Sequence, residues 1–188
     1  MSKIILASQS PRRKQLLEWA QIQFEIIVGE TDESYPNNLD VNEIPIHIAK
    51  EKAITVFSKI QDKTKTILAA DTIVVLNNTI LGKPKNREEA ISFLEQLSSK
   101  THQVITGVYI LKGEKEIAFS SITNVSFHEL TNEQIEFYVD EYKPYDKAGG
   151  YAIQEWIGVV GVKKIEGDFY NVMGLPISLV VKELIDEK

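Results

Sequence analysis

The stretch that most constrains this chain runs from Ile67 to Leu76, ten residues that are largely apolar and rich in β-branched side chains, with one carboxylate, Asp71, near the middle. Such a run suits a strand covered on both faces. An acid inside it is out of place, because a buried carboxylate without a partner is costly. Asp71 must therefore meet a metal, a cation, backbone donors or a substrate. The alternative is that it sits at the strand's exposed end, solvated or capping a turn.

With 188 residues and 43% hydrophobic content, the chain can bury a sizeable core as a single domain, 1–188, with room for two lobes. No linker, repeat or low-complexity tract divides it. The absence of cysteine removes disulfides, thiolate catalysis and Cys-based zinc sites together. His47, His102 and His128 are far apart and lack metal-ligand spacing, so each reads as a surface or half-buried residue. Ile4-Ile5-Leu6-Ala7 is too short for an apolar targeting region, and no run reaches membrane-spanning length. The expected location is the cytoplasm, with no membrane partner. A net charge of -6 argues against nucleic acid as a partner, so any polyanionic substrate must be met by local basic residues.

Those residues have definite places along the chain. Lys3 to Ala7 reads as a strand, followed by a turn into a helix with Ser10 as N-cap and Pro11 at its first position. Unpaired backbone N–H groups, the hydroxyls of Ser8 and Ser10 and the guanidinium groups of Arg12 and Arg13 together outline a phosphate site. Two arginines in a first turn oppose the helix dipole, and an anionic ligand would remove that oddity. Phe24 to Val28 reads as a second strand, ending in the acidic loop Glu30-Thr31-Asp32-Glu33. Loops of this kind usually just solvate, although acids leaving a strand also hold magnesium-type ions. Asn42 is the expected cap of a helix reaching Ile60, with Lys52 at the margin of its apolar face, either snorkelling or reaching into a cleft.

Beyond the Asp71 strand, Asn77-Asn78 signals a hairpin to Thr79-Ile80-Leu81, and Gly82-Lys83-Pro84 projects Lys83 from a rigid turn. Asn86 caps the next helix. His102 to Leu111 and Glu116 to Phe127 form a hairpin across Lys112-Gly113-Glu114-Lys115, and Thr131 with Gln134 makes a capping box. The block Tyr145 to Gln154 contains Lys147, paired glycines that permit close approach to a ligand, and Gln154, whose amide offers the donor and acceptor that a nucleobase edge requires. Val159 to Ile165 reads as a strand and Pro176 to Ile185 as a closing helix. Several cations with one or two acids suit a phosphoanhydride bound with a divalent ion. Neither a P-loop nor a dinucleotide fingerprint occurs.

The segment from Leu6 to Leu17, Leu-Ala-Ser-Gln-Ser-Pro-Arg-Arg-Lys-Gln-Leu-Leu, resembles the N-terminal signature of the Maf family of nucleoside triphosphate pyrophosphatases. The resemblance continues in order through Glu51-Lys52-Ala53, Ala70-Asp71-Thr72, Gly82-Lys83-Pro84, Thr106-Gly107-Val108, Asp146-Lys147-Ala148-Gly149 and Gly174-Leu175-Pro176. It implies an α/β fold with an elongated mixed sheet flanked by helices and a cleft between two lobes, similar to inosine triphosphate pyrophosphatases (Maf/Ham1-like). The implied reaction cleaves between the α- and β-phosphates with magnesium or manganese, releasing a monophosphate and pyrophosphate. By resemblance, Asp71 is the proton acceptor, and Arg12, Thr72 and Gln154 match positions that set substrate choice. Ser8, Arg13, Lys52, Lys83 and Lys147 match phosphate or substrate contacts, and Glu33, with Asp71, a metal ligand. The Lys147 and Gln154 block resembles the branch acting on dTTP and UTP, with modified pyrimidine nucleotides as further candidates. Gly150, Ala152 and Glu155 depart from the usual pattern there. The alternatives are a 7-methyl-GTP or other purine pyrophosphatase and a non-catalytic, nucleotide-sensing regulator of cell division. A homodimer is expected from the family alone.

Overall fold

Asp71 lies inside a strand rather than at its end. In the computed structural model, which describes residues 3–185, β1 (Ile4–Leu6), β2 (Phe24–Ile26) and β3 (Thr66–Leu76) are joined by α1 (Pro11–Trp19) and α2 (Ile44–Lys59). β1 pairs in parallel with both β2 and β3, as helical crossovers require. The Asn77-Asn78 turn, both residues at positive φ, returns β3 into antiparallel β4 (Thr79–Leu81). There follow α3 (Arg87–Leu97), β5 (Thr101–Lys112), β6 (Lys115–Phe127), α4 (Asn132–Tyr142), α5 (Trp156–Gly161), β7 (Val162–Glu166), α6 (Phe169–Met173) and α7 (Ile177–Ile185). The seven strands form one mixed sheet in the order β2-β1-β3-β5-β6-β7, with β4 on β3. It is an α/β fold with helices flanking the sheet. No helix of the described residues is long and apolar enough to cross a membrane.

Several expectations from sequence need correction. Asn42 does not cap α2, because its backbone N–H and side-chain amide are both given to Asp40 Oδ1, at 2.9 and 2.7 Å; Glu43 occupies the cap position without a side-chain bond. β2 is shorter than the predicted strand and ends at Ile26. The turn between β5 and β6 takes only Gly113 and Glu114. Val159 to Gly161 belong to α5, so the predicted strand starts at Val162 and ends at Glu166. A short apolar run fits helix or strand equally well, and here the chain uses it for both in turn. His102 is neither surface nor half-buried, at 1% exposure.

The chain divides into two compact units. The first comprises the chain up to Thr72, Thr106–Ser121 and the chain from Gly174; the second comprises Ile73–Ile105 and Ile122–Met173. In the first, Ala49, Ala53 and Val56 of α2 share a core with Ile5, Ala7, Ile67, Ala69, Tyr109 and Leu111. The strand residues step by two, so all project from one face of the sheet. Small side chains let α2 approach closely: a Cβ on Gly107 would stand 2.2 Å from the Ile46 nitrogen and 2.3 Å from the Pro45 carbonyl carbon. Only glycine fits beneath that first turn. Continuing the series 67, 69 brings Asp71 to the same face, opposite Lys52 of α2.

The second unit has its own core of aromatic residues. His102, Phe127 and Tyr151 pack ring to ring at centroid distances of 5.1–5.5 Å, with His102 Nε2 and the Tyr151 hydroxyl 2.7 Å apart. Burial lowers the His102 pKa to about 4, so the imidazole is neutral. At the two ends of the sheet stand the three-residue β2 and β7, the latter with Lys163, Lys164 and Glu166 exposed.

Candidate active site

β3 is buried along its whole length except at Asp71 and Thr72, which are half-buried. Alternation sends these neighbours to opposite faces, and each meets a different set of partners.

On the α2 face, Lys52 Nζ donates to Asp71 Oδ1 at 2.7 Å and lies 2.8 Å from Glu33 Oε1. One ammonium thus draws together two carboxylates from segments far apart in sequence. Asp71 is the more enclosed, its side chain 13% exposed against 48% for Glu33. Between them they offer hard oxygen donors and a surplus of one negative charge.

On the other face, Thr72 joins a network built by Arg13. The N-cap is as predicted: Ser10 Oγ accepts the Arg13 backbone N–H at 3.5 Å, with Pro11 next in the helix. The Arg13 side chain is buried. Its Nε donates to the Gly174 carbonyl at 2.8 Å, Nη1 to Ser8 Oγ at 3.1 Å and Nη2 to Thr72 Oγ1 at 3.0 Å. Thr72 Oγ1 is also 2.9 Å from Thr106 Oγ1 and 3.4 Å from the Gly174 carbonyl oxygen. Gly174 has φ +115, a backbone conformation that side-chain-bearing residues rarely adopt, and this aims its carbonyl at both donors. Burial lowers the Arg13 pKa, the charge of Asp71 opposes that shift and Arg12 adds to it, yet a guanidinium stays protonated. Arg12 is half-buried in the same first turn.

In the second unit, Lys147 is 7% exposed, its Nζ 2.7 Å from Asp146 Oδ1 and 3.5 Å from Glu155 Oε1. Glu155 Oε2 in turn accepts the Tyr138 hydroxyl proton, while the Tyr138 oxygen accepts the Ala152 N–H at 3.1 Å. The paired glycines serve the fold, since Gly149 N–H donates to the Gly82 carbonyl at 2.9 Å. Lys83 is exposed beside buried Pro84, and Gln154 is exposed in the turn before α5. Thr106, Tyr138 and the Gly174 carbonyl escaped the reading of the sequence. Only the ordered motifs containing Thr106 and Gly174 pointed near them.

A family model described as Maf-like protein matches residues 3–187. The chain belongs to the Maf family. Among relatives of this Maf chain, a protein of Parabacteroides distasonis named dTTP/UTP pyrophosphatase is 50% identical over 97% of this chain and 94% of its own length. One of Cytophaga hutchinsonii with the same name is 52% identical over 96% and 82%. A solved structure, the Ham1 protein of Staphylococcus aureus, shares the fold at a TM-score of 0.56 with 14% identity, covering 100% of both chains.

Proposed function

We propose that this Maf chain hydrolyses dTTP and UTP to the nucleoside monophosphate and pyrophosphate, with Asp71 as the proton acceptor. The observation that carries the reading is the Glu33–Lys52–Asp71 cluster, set where the burial of β3 is interrupted. Lys52 occupies Oδ1 of Asp71, which leaves Oδ2 to take a proton from water as the water oxygen bonds to the α-phosphorus. The bond to the bridging oxygen breaks, and pyrophosphate leaves with its electron pair. The names of relatives at about half identity support the base assignment.

Glu33 and Asp71 would hold a magnesium or manganese ion. Two carboxylates gathered by one lysine suit a hard cation whose remaining positions are filled by water and phosphate oxygens. Among the described residues no group of three or more acidic, histidine or cysteine side chains could hold a metal unaided. When bound, the ion would neutralise phosphate charge. Arg12 and Thr72 are proposed to set substrate choice, and Ser8, Arg13 and Lys52 are proposed phosphate or substrate contacts. Lys83, Lys147 and Gln154 are proposed substrate contacts, Gln154 through its exposed amide.

The test is pyrophosphate release from dTTP, UTP, CTP, 7-methyl-GTP and ITP with either metal, comparing wild type with Asp71→Asn. Release from dTTP and UTP, falling about a thousandfold in the variant, is expected. Binding without release by the wild type would mark a nucleotide-sensing regulator instead. Release from purines alone would keep the chemistry and overturn the base assignment.

A further inference from the structure

The turn that carries Gln154 spans Ala152 to Glu155 and is closed by the Glu155 N–H, which donates to the Ala152 carbonyl at 3.1 Å. Of its two central residues, Ile153 is buried and Gln154 is exposed. Ile153 anchors the turn in the core, and Gln154 faces outward. Both ends of the turn meet one oxygen. The Tyr138 hydroxyl, from α4, accepts the Ala152 N–H at 3.1 Å and donates to Glu155 Oε2. Tyr138 is fully buried, and its ring stacks on Tyr142 of the same helix at a centroid distance of 4.9 Å. Next to it in α4, Phe137 packs at 4.8 Å against Trp156, the first residue of α5, so a second contact ties the two helices. Helix packing fixes the hydroxyl, and the hydroxyl fixes the turn.

We propose that Tyr138 is a positioning residue for base recognition, holding the backbone from which Gln154 presents its amide to the nucleobase. A glutamine side chain loses rotamer freedom when its amide pairs with a base edge, and a backbone already fixed keeps that cost from growing. Loosening the turn weakens recognition of the base and leaves the contacts proposed for Ser8, Arg13 and Lys52 in place. Tyr138 touches no ligand itself, since none of its surface is exposed. The inference rests on the reading of Gln154 as a base contact.

The test compares KM for dTTP with the inhibition constant of inorganic tripolyphosphate, which has the phosphates and no base, in wild type, Tyr138→Phe, Gln154→Ala and the double variant. The ratio of the two constants reads what the base adds to binding. Gln154→Ala should raise it about tenfold, and Tyr138→Phe about fivefold, the worth of one hydrogen bond. The double variant should match Gln154→Ala, since the tyrosine acts through the glutamine. A further rise in the double variant would route the effect through Lys147, the other partner of Glu155, and overturn the proposal. A ratio raised by Gln154→Ala and unchanged by Tyr138→Phe, with both constants shifted alike, would leave Tyr138 a merely structural residue and overturn it too. An unchanged ratio in Gln154→Ala would overturn the base reading of Gln154, and this proposal with it. Should Tyr138→Phe fail to fold, Glu155→Ala removes the carboxylate end of the clamp: a raised ratio that Gln154→Ala does not raise further supports the proposal, and any other result defeats it.

Discussion

Each unit contains a lysine held between two carboxylates, yet the two arrangements differ in what secures the acids. Lys52 joins Glu33 to Asp71, and Glu33 is 48% exposed within the connection between β2 and α2. Lys147 joins Asp146 to Glu155, and Glu155 is gripped on its second oxygen by Tyr138, which is itself fixed by the Ala152 N–H. In each cluster one acid faces water, Glu33 at 48% and Asp146 at 56% exposure, and in the second the other acid is clamped by a tyrosine. Charge count alone would rank them equal. What distinguishes the second cluster is the Tyr138 hydroxyl on Glu155, and what distinguishes the first is the place of Asp71 on an otherwise buried strand.

Removing each lysine in turn should expose that difference most strongly. Lys52→Met is expected to lower turnover of dTTP by 100-fold or more, and it also destabilises the fold because Asp71, 13% exposed, loses its counter-charge. Lys147→Met should cost about 3 kcal/mol, since it strands Glu155 in a partly buried network. Urea unfolding and pyrophosphate release are measured on both variants, and unchanged turnover in a folded Lys52→Met would overturn the catalytic reading of the first cluster.

Acid should also tell the units apart. His102 titrates near 6.5 when unfolded and at about 4 in the folded chain. The unfolded state therefore binds the extra proton first, and stability falls as pH drops through that window, by roughly 3 kcal/mol in full. Unfolding midpoints measured from pH 7 to pH 4 should show the loss in wild type and a flatter profile in His102→Gln. A profile of the same steepness in both would place the acid sensitivity elsewhere. The smallest effect belongs to Tyr138→Phe, which should cost about 1 kcal/mol and free Glu155 from its clamp. If the clamp is what distinguishes the clusters, Lys147→Met should become cheaper in the Tyr138→Phe background, a coupling that a double-mutant cycle measures directly.

The backbone around Asp71 was legible in the sequence because several signals agree there. The apolar run fixes β3, the turn residues Asn77 and Asn78 fix its end, and the two-residue step places Asp71 against Lys52 once α2 is recognised. Caps at Ser10, Asn86 and Thr131 were equally clear, being local. The start of α2 was not, since Asn42 had a nearer partner in Asp40. Arg13 illustrates a deeper limit. The same guanidinium donors suit phosphate or carbonyl oxygens, and only the fold brings Gly174, Ser8 and Thr72 within reach. Tyr138 and Glu155 meet across 17 residues with no pattern to announce it.

The two ends of the sheet bear on how the molecule behaves in a crowded solution. A strand edge recruits other chains when it is long, flat and apolar. β2 spans three residues, and β7 presents Lys163, Lys164 and Glu166 to solvent. Neither offers a neighbour a continuous row of backbone partners without also setting charges together. Fibril growth by strand addition is thus discouraged at both ends.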